Sequence, residues 1–588
     1  MPVKSGRPYQ YIHDVVFSRG EWVIIGILTA LTVWLGYTGY TEYYVDLKQY
    51  ASLSDLLYKT LGLFTLGFSA QTGDIPWQLD FARWLAPLLL SYAAVRTLML
   101  MLHGRLALLR LRQLKNHAVV CGLGGQEAED GYGWTMVQAL VAKGIPTVVI
   151  EPNPLNVHLG WTRNQGITVI TGNARDNQNL IQANVKQAGY LLALTEDDAA
   201  NSEIVFQAFQ LKQTHPNSPL LQCIAQVKSH ELAAILYDDA VFSKDYTNFS
   251  ARVINMRQMA ARWLLTQHGP DKVLIDSISK MREIRILLLG NHDFSDDLVL
   301  RFAKLGHYGT PQPIHVTLAG PQAESRRALL SMQHPVLSDI ITITAKDIEL
   351  SFLNAQTTQQ LITSAKPDIT YVCAADTEAT LIWTKTLTRL PLNCPVIVCQ
   401  FADTLLARRV ESLCALHTHF RFVYPLNNIF SFDALFNTSH DQLAMLIHDH
   451  YVASQEDAGD TPENNASLIN WAELPETLKD ANRNQADHLQ IKCRILTGSN
   501  QYTPEQIEHA LQDQKACERL ARMEHDRWIA EKLLDGWQPT TGEKDTARRL
   551  SPALVPWNDL PESERQKDRD AVANIPQLLR WIEEKLNQ

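Results

Sequence analysis

The sequence predicts a small α-helical membrane part, then two α/β domains built on parallel sheets, then a smaller and mostly α-helical domain. Three observations carry this. Trp22 to Tyr40 (WVIIGILTALTVWLGYTGY) is free of charge and about as long as a bilayer core demands of a helix. Two successive series of short, nearly all-apolar, β-rich runs begin at His117 and again near Ile286, and strands of that kind belong to sheets covered on both faces. Beyond Asp433 the apolar runs give way to helical spacing with tryptophans set among charges. The 588 residues suffice for three to five domains at roughly 100–200 residues each. With 46 % hydrophobic and 20 % charged residues the chain is no disordered or low-complexity polymer. Its 53 basic against 63 acidic residues, net −10, exclude the global basic field of a nucleic-acid binder. A mean hydropathy of −0.15 is an average that hides a short membrane part inside a long cytosolic one.

The first apolar stretch is too long for a signal peptide and is followed by a second, Phe81 to Leu102, interrupted by Arg83 and Arg96. Lys4, Arg7 and Arg19 precede the pair and Arg105, Arg110, Arg112 and Lys115 follow it, while the connector (41–80) is acidic on balance. The excess of basic residues at the outer ends puts both termini in the cytoplasm of a plasma (bacterial inner) membrane. All eight cysteines then lie in a reducing compartment, with no disulfide framework. Within the connector, Ser52 to Leu63 (SLSDLLYKTLGL) suits a short re-entrant helix capped by Ser52 or Ser54, leading into Thr65, Leu66, Gly67, Phe68 and Ser69. Irregular backbone at membrane depth survives where it lines a watery path. A glycine free to take positive φ at Gly67 would turn carbonyls toward such a path. A plain loop between two anchors is the alternative. Arg96 either faces a cavity or snorkels to the headgroups. The arrangement of helix, pore helix, TxGF and helix resembles the pore module of two-helix potassium channels. Phe68 stands where that family has tyrosine and Ser69 where it has a second glycine, which implies weaker discrimination among cations.

From His117 the runs Ala118–Leu123, Thr147–Glu151, Ile167–Ile170, Tyr190–Thr195 and Leu220–Val227 read as strands, with Ala240–Phe242 as a closing strand. The first ends in Gly122, Gly124 and Gly125, where a backbone can approach a phosphate, and the second ends in Glu151, the acidic position suited to ribose hydroxyls. The turn runs on through Gly131 and Gly133, so its spacing is not GxGxxG. The second series, Ile286–Gly290, Ile314–Leu318, Ile340–Thr344, Ile369–Ala374, Val396–Gln400 and Phe420–Val423, repeats the order with a single glycine at its first turn. Residues 116–430 resemble a tandem of RCK domains (TrkA-N-like, Rossmann-type), on the strength of VVCGLG (119–124), VVIEPNP (148–154), TGNARD (171–176) and LTEDDAANS (194–202). Asn173 replaces the family's usual aspartate. The resemblance implies a cytoplasmic ring of such domains that regulates conductance.

Tyr451–Ala466 is acidic and aperiodic and reads as a linker between helical segments 433–450 and 471–497. Residues 517–580, with LARMEHDRW (520–528), Glu531-Lys532, Asp535-Gly536-Trp537, Trp557, Leu560-Pro561 and Ile575-Pro576, resemble the RyR domain of ryanodine receptors. Trp528, Trp537 and Trp557 with Arg522, His525 and Arg527 form a set able to sandwich a base and clamp a phosphate. The competing reading makes the tryptophans core residues of a small helical domain. No metal-ligand spacing, nucleophile–base pair or Walker loop is present in the sequence.

These readings combine into segments 1–21 (cytoplasmic N-terminus), 22–102 (pore module, re-entrant at 52–75), 103–116 (linker), 117–282 and 283–432 (RCK domains, the second degenerate) and 433–588 (RyR-like ligand sensor). One re-entrant loop per chain cannot enclose a pore, so the expected assembly is a homotetramer. The resemblances imply a non-enzymatic, ligand-gated channel for inorganic ions of potassium type, controlled by a NAD-like or cyclic-nucleotide-type ligand, and by analogy an effector of a nucleotide-messenger or antiviral response. Two alternatives stand beside it: a non-conducting NAD-sensing subunit of a transporter, and a membrane-anchored NAD-linked oxidoreductase.

Overall fold

The computed structural model describes residues 19–68, 74–125 and 131–587, apart from 245, 282, 375, 402–403, 416, 431, 437–440, 458, 460, 463–464 and 466. The chain divides into two compact units, the smaller comprising residues up to Lys115 with 158–170 and 181–184, the larger the remainder.

In the smaller unit, α1 (Arg19–Asp46), α2 (Leu53–Gly62) and α3 (Trp77–Leu111) surround one core of Leu35, Tyr40, Tyr43, Leu56, Leu63, Leu79, Ala82 and Ala86. Among the described residues one helix, Val23–Asp46 within α1, is long and apolar enough to cross a membrane. The second expected span falls on α3, where Asp80, Arg83 and Arg96 interrupt the apolar residues and the side chains of 99–110 lie outside what is described. Two glycines let the helices approach: a Cβ on Gly39 would stand 2.6 Å from the Leu79 backbone nitrogen, and one on Gly36 would stand 2.9 Å from the Thr60 methyl. The outer faces carry exposed Val23, Ile24, Ile27 and Trp34 on α1 and Phe81, Trp84, Leu88 and Leu98 on α3. Apolar surface of that extent calls for lipid or another chain. Ser52 caps α2 in a capping box with Asp55, one of the two serines expected there.

Beyond α3 the chain forms two six-stranded parallel sheets. Strands β1 (Ala118–Cys121), β2 (Thr147–Glu151), β3 (Thr168–Thr171), β4 (Tyr190–Ala193), β5 (Leu221–Gln226) and β6 (Phe249–Ile254) run in the order β3-β2-β1-β4-β5-β6. Strands β7 (Arg285–Leu289), β8 (His315–Gly320), β9 (Thr342–Asp347), β10 (Ile369–Val372), β11 (Val396–Cys399) and β12 (Phe420–Val423) run β12-β11-β10-β7-β8-β9, the same order counted from β7. Both are doubly wound Rossmann sheets that reverse direction between their first and fourth strands, where such folds take ligands. One expected strand is overturned. Residues Ala240–Ser243 form a helical turn capped by Asp239, whose carboxylate accepts from the Val241 amide, and β6 closes the sheet instead, half-buried residue by residue as an edge strand should be.

Helices that matter for the site are α4 (Tyr132–Ala142), α5 (Met256–His268), α6 (Asp293–Leu305), α7 (Gln442–Asp457), α8 (Glu476–Thr497), α9 (Pro504–Ala510), α10 (Gln514–Leu534), α11 (Glu562–Ala573) and α12 (Ile575–Asn587). The expected linker at Tyr451–Ala466 begins as helix, because α7 runs on through the good helix formers up to Asp457. Helix α8 is shared between modules. Its Arg494 pairs with Asp271 (2.6 Å), both buried, and its Asp487 takes Arg262 of α5 (2.8 Å) and Arg301 of α6 (2.7 Å). All eight cysteines are free thiols.

Candidate functional site

In the loop after α2, a 3₁₀ turn (Leu63–Thr65) brings the Gly67 amide onto the Gly62 carbonyl at 2.8 Å, and the Thr65 hydroxyl donates to the same oxygen at 3.0 Å. The left-handed residue is Leu66, at φ 62°, and not Gly67 as expected. Gly67 serves close approach instead, since a Cβ there would sit 3.0 Å from the Gly62 oxygen. Phe68 lies under the Arg83 guanidinium, 5.0 Å from its ring centre, and Arg83 also pairs with Asp80. Ser69 lies outside the described residues. Arg96 is buried, at 8 % exposure.

The first-domain turn is built from two left-handed glycines, Gly122 (φ 86°) and Gly124 (φ 85°), with Gly125 half-buried beside them. Strand, turn and helix fit closely: a Cβ on Gly133 would stand 1.8 Å from the Gly122 oxygen, and the Trp134 amide donates to Leu123 at 2.9 Å. Glu151, 5 % exposed at the end of β2, accepts from the Leu123 amide through Oε2 (2.8 Å) and from the Asn153 amide through Oε1 (2.9 Å). A carboxylate has about four lone-pair positions, so two remain for a ligand's hydroxyls. The N-terminus of α4 at Tyr132 carries the positive end of the helix dipole, which favours an anion. Asn156, which sequence reasoning passed over, holds the Gly124 carbonyl through Nδ2 (2.8 Å). Asn173 closes the end of β3, its Oδ1 accepting from the Arg175 amide (2.9 Å), next to Gly172, whose amide reaches the Glu151 carbonyl (3.1 Å).

The corresponding turn of the second domain carries its own anions. Gly290 (φ 93°) leads into α6, where Asp293 and Asp296 meet Arg326 at 2.6 Å each and Arg257 also pairs with Asp293. Burial works against charge on Asp293, but hydrogen bonds from Arg326 and Arg257 hold its carboxyl down at about 2. Burial pushes Asp297 up to about 7. Carboxylates fill the positive end of this helix, and a phosphate there would meet like charge.

In the C-terminal module the nominated residues separate into three places. Arg527 is buried among carboxylates: it donates to Glu524 (2.8 and 3.0 Å) and to Glu531, and Glu524 also takes Lys492 (2.7 Å) and His488 (3.2 Å) of α8. Burial opposes the Glu524 charge, yet Arg527 and Lys492 hold that carboxyl well below the usual range. His525 donates through Nε2 to the Val555 carbonyl (2.9 Å), lies 3.4 Å from Asp568, stacks on Trp528 and meets Trp557 edge-on. Trp557 is buried, its indole N–H on Glu518 (3.0 Å). Arg527, His525 and Trp557 thus have their polar atoms committed inside the module, whereas Arg522 is exposed and Trp528 and Trp537 are half-buried. Lys532 and Lys544 stand 5.3 and 6.0 Å from the Trp537 ring centre. These two lysines were not legible as partners, since one lies on α10 and the other on the loop beyond it.

A doubly wound sheet with a glycine turn after β1 and an acid after β2 defines a dinucleotide-type domain. Residues 118–244 match the family model of the TrkA-N domain and residues 504–587 that of the RyR domain, so the chain carries an RCK-type domain and, at its other end, an RyR domain. No curated protein matches the chain. Among solved structures, that of GsuK bound to ADP is 16 % identical, with 70 % of this chain and 97 % of that chain covered at a TM-score of 0.38. The GsuK channel bound to NAD is 14 % identical, with 74 % and 85 % covered at a TM-score of 0.39.

Proposed function

We propose that this chain is the subunit of a nucleotide-regulated ion channel, not an enzyme, assembled as a tetramer in the plasma membrane with both termini cytoplasmic. The observation that carries the reading is the continuity of α3: one helix leaves the apolar hairpin and ends four residues short of Lys115, just before the TrkA-N-type domain begins at Ala118. The exposed apolar faces of α1 and α3 and the folded-back loop at Leu63–Phe68 fit a pore module that lacks its neighbours. The ion is a monovalent cation, with looser selection than a TxGYG filter gives. The gating ligand is a nucleotide of the ADP or NAD type at Gly122–Glu151, where an acid and a helix N-terminus can divide ribose and phosphate between them. A second nucleotide position, at Trp528 and Trp537 with Arg522, belongs to the RyR domain. The segments proposed from the sequence (22–102, 117–282, 283–432, 433–588) are the functional divisions.

Ligand energy opens a pore only by differing between the open and closed states. The test is current through the purified full-length protein in planar bilayers, with NAD and ADP added on the cytoplasmic side and Glu151→Gln as control. Ligand-dependent current in the parent and its loss in the variant support the reading. Tight binding without current would assign the chain to a transporter as a regulatory subunit. Turnover of NADH would revive the oxidoreductase.

A further inference from the structure

A helix leaves its last carbonyls without partners inside the helix. Helix α3 ends at Leu111, and the segment after it (Arg112, Gln113, Leu114, Lys115) contains no glycine to form the usual left-handed stop. The Leu114 amide reaches the Leu111 carbonyl at 3.2 Å. The rest comes from elsewhere in the sequence. Asn184, 5 % exposed on the turn before β4, donates through Nδ2 to the Leu111 carbonyl (3.1 Å) and the Leu114 carbonyl (3.0 Å), with the Arg112 carbonyl at 3.4 Å. Its own backbone is left-handed, at φ 55°, a conformation asparagine tolerates better than most residues. The side chain is aimed at the helix end because the backbone takes this turn, and Leu111 beside it is fully buried.

We propose that Asn184 is the positioning residue that fastens the C-terminal end of α3 to the turn before β4, so that a ligand-driven movement of that turn is passed to the membrane helix. This rests on the channel reading above. Without the amide, the last turn of α3 frays and movement is absorbed there. Asparagine is needed rather than an acid, since the groups it holds are all acceptors.

Two substitutions test this while keeping the left-handed backbone accessible, Asn184→Asp and Asn184→Gly; neither can donate to the carbonyls. In full-length protein, NAD and ADP affinity should stay within about twofold of the parent by calorimetry, because the Gly122–Glu151 turn is untouched. The ligand-dependent part of the bilayer current should fall by about tenfold or more, and amide exchange across 108–116 should rise by about tenfold, one decade being what a lost hydrogen bond of ordinary strength provides. Variants that gate like the parent at unchanged affinity overturn the proposal. If the parent itself passes no current with either nucleotide, the channel reading fails, and exchange at 108–116 alone decides the grip: unchanged protection in both variants overturns it, raised exchange in both supports it.

Discussion

The attachment of the C-terminal module can be broken at one point. Arg494 of α8 and Asp271, just after α5, are 3 % and 1 % exposed and 2.6 Å apart. Arg494→Met removes the cation, keeps the volume and strands a buried carboxylate, which costs about 3–5 kcal/mol. The double variant Asp271→Leu with Arg494→Met leaves no charge behind and should return to within about 1 kcal/mol of the parent. At about 1.4 kcal/mol per decade, the single variant raises the opening constant of α8 by two to four decades. Burial already pushes the Asp271 carboxyl up against the pull of Arg494. In the single variant that carboxyl can therefore escape by taking a proton, and the penalty shrinks as pH falls through its raised pKa. The assay is hydrogen exchange of the 476–497 amides in full-length parent, both singles and the double, as a double-mutant cycle. A single variant within about 0.5 kcal/mol of the parent refutes the reasoning and moves the attachment to Asp487 with Arg262 and Arg301.

Gly133→Ala should disorder the first-domain turn, because the new methyl would stand 1.8 Å from a backbone oxygen that cannot move away; calorimetry should show nucleotide affinity lost while the circular dichroism of the sheets persists. Glu151→Gln exchanges an acceptor for a donor facing an amide, so binding of NAD should weaken by about one to two decades, at about 1–3 kcal/mol for an unsatisfied buried group, and equal affinity would remove the site from this turn. Burial disfavours charge on His525, but its bonds to Asp568 and the Val555 carbonyl outweigh this and raise its pKa. A raised histidine stabilises below its unfolded pKa and loses that contribution as pH rises through the folded value, so the urea midpoint of the C-terminal module should fall on going from pH 6 to pH 8.5, and Asp568→Asn should flatten the dependence. Gly39→Val should separate α1 from α3, where a Cβ meets the Leu79 backbone at 2.6 Å, and should show as lost assembly by mass measurement in detergent.

The sheets were legible because a buried parallel strand has to be apolar along its whole length, and ten of the twelve strands lie under the expected runs with ends shifted by two residues or fewer; β9 starts two residues late and ends three residues late. The strand at Phe249–Ile254 was hidden by Ser250 and Arg252, which face outward from an edge, and the apolar Ala240–Phe242 run took its place in the reading. At the sites, glycine and acid signals survive in a sequence because the backbone demands them locally. Asn156 and Asn184 do not stand out, since each acts on carbonyls 32 and about 70 residues away. Tryptophan and arginine mislead in the opposite direction. Arg527 and Trp557 have the chemistry of a ligand clamp, and only their partners, Glu524, Glu531 and Glu518, reveal that the clamp is closed on the protein itself.

The unbroken run of α3 has a mechanical corollary. Its 35 residues make a rod about 52 Å long at 1.5 Å per residue, and in the proposed channel a bilayer core would take up about 30 Å of it. The remaining 20 Å or so is no slack tether: it has a phase as well as a length. One residue added between Leu102 and Leu111 would rotate everything beyond it by about 100° and displace it by 1.5 Å, while an added run of seven would restore the facing of Leu111 almost fully and shift it by two turns. In the proposed channel, then, twist and extension are separate quantities written into the same helix, and the phase in which it meets Asn184 is as much a part of the gate as the distance it spans.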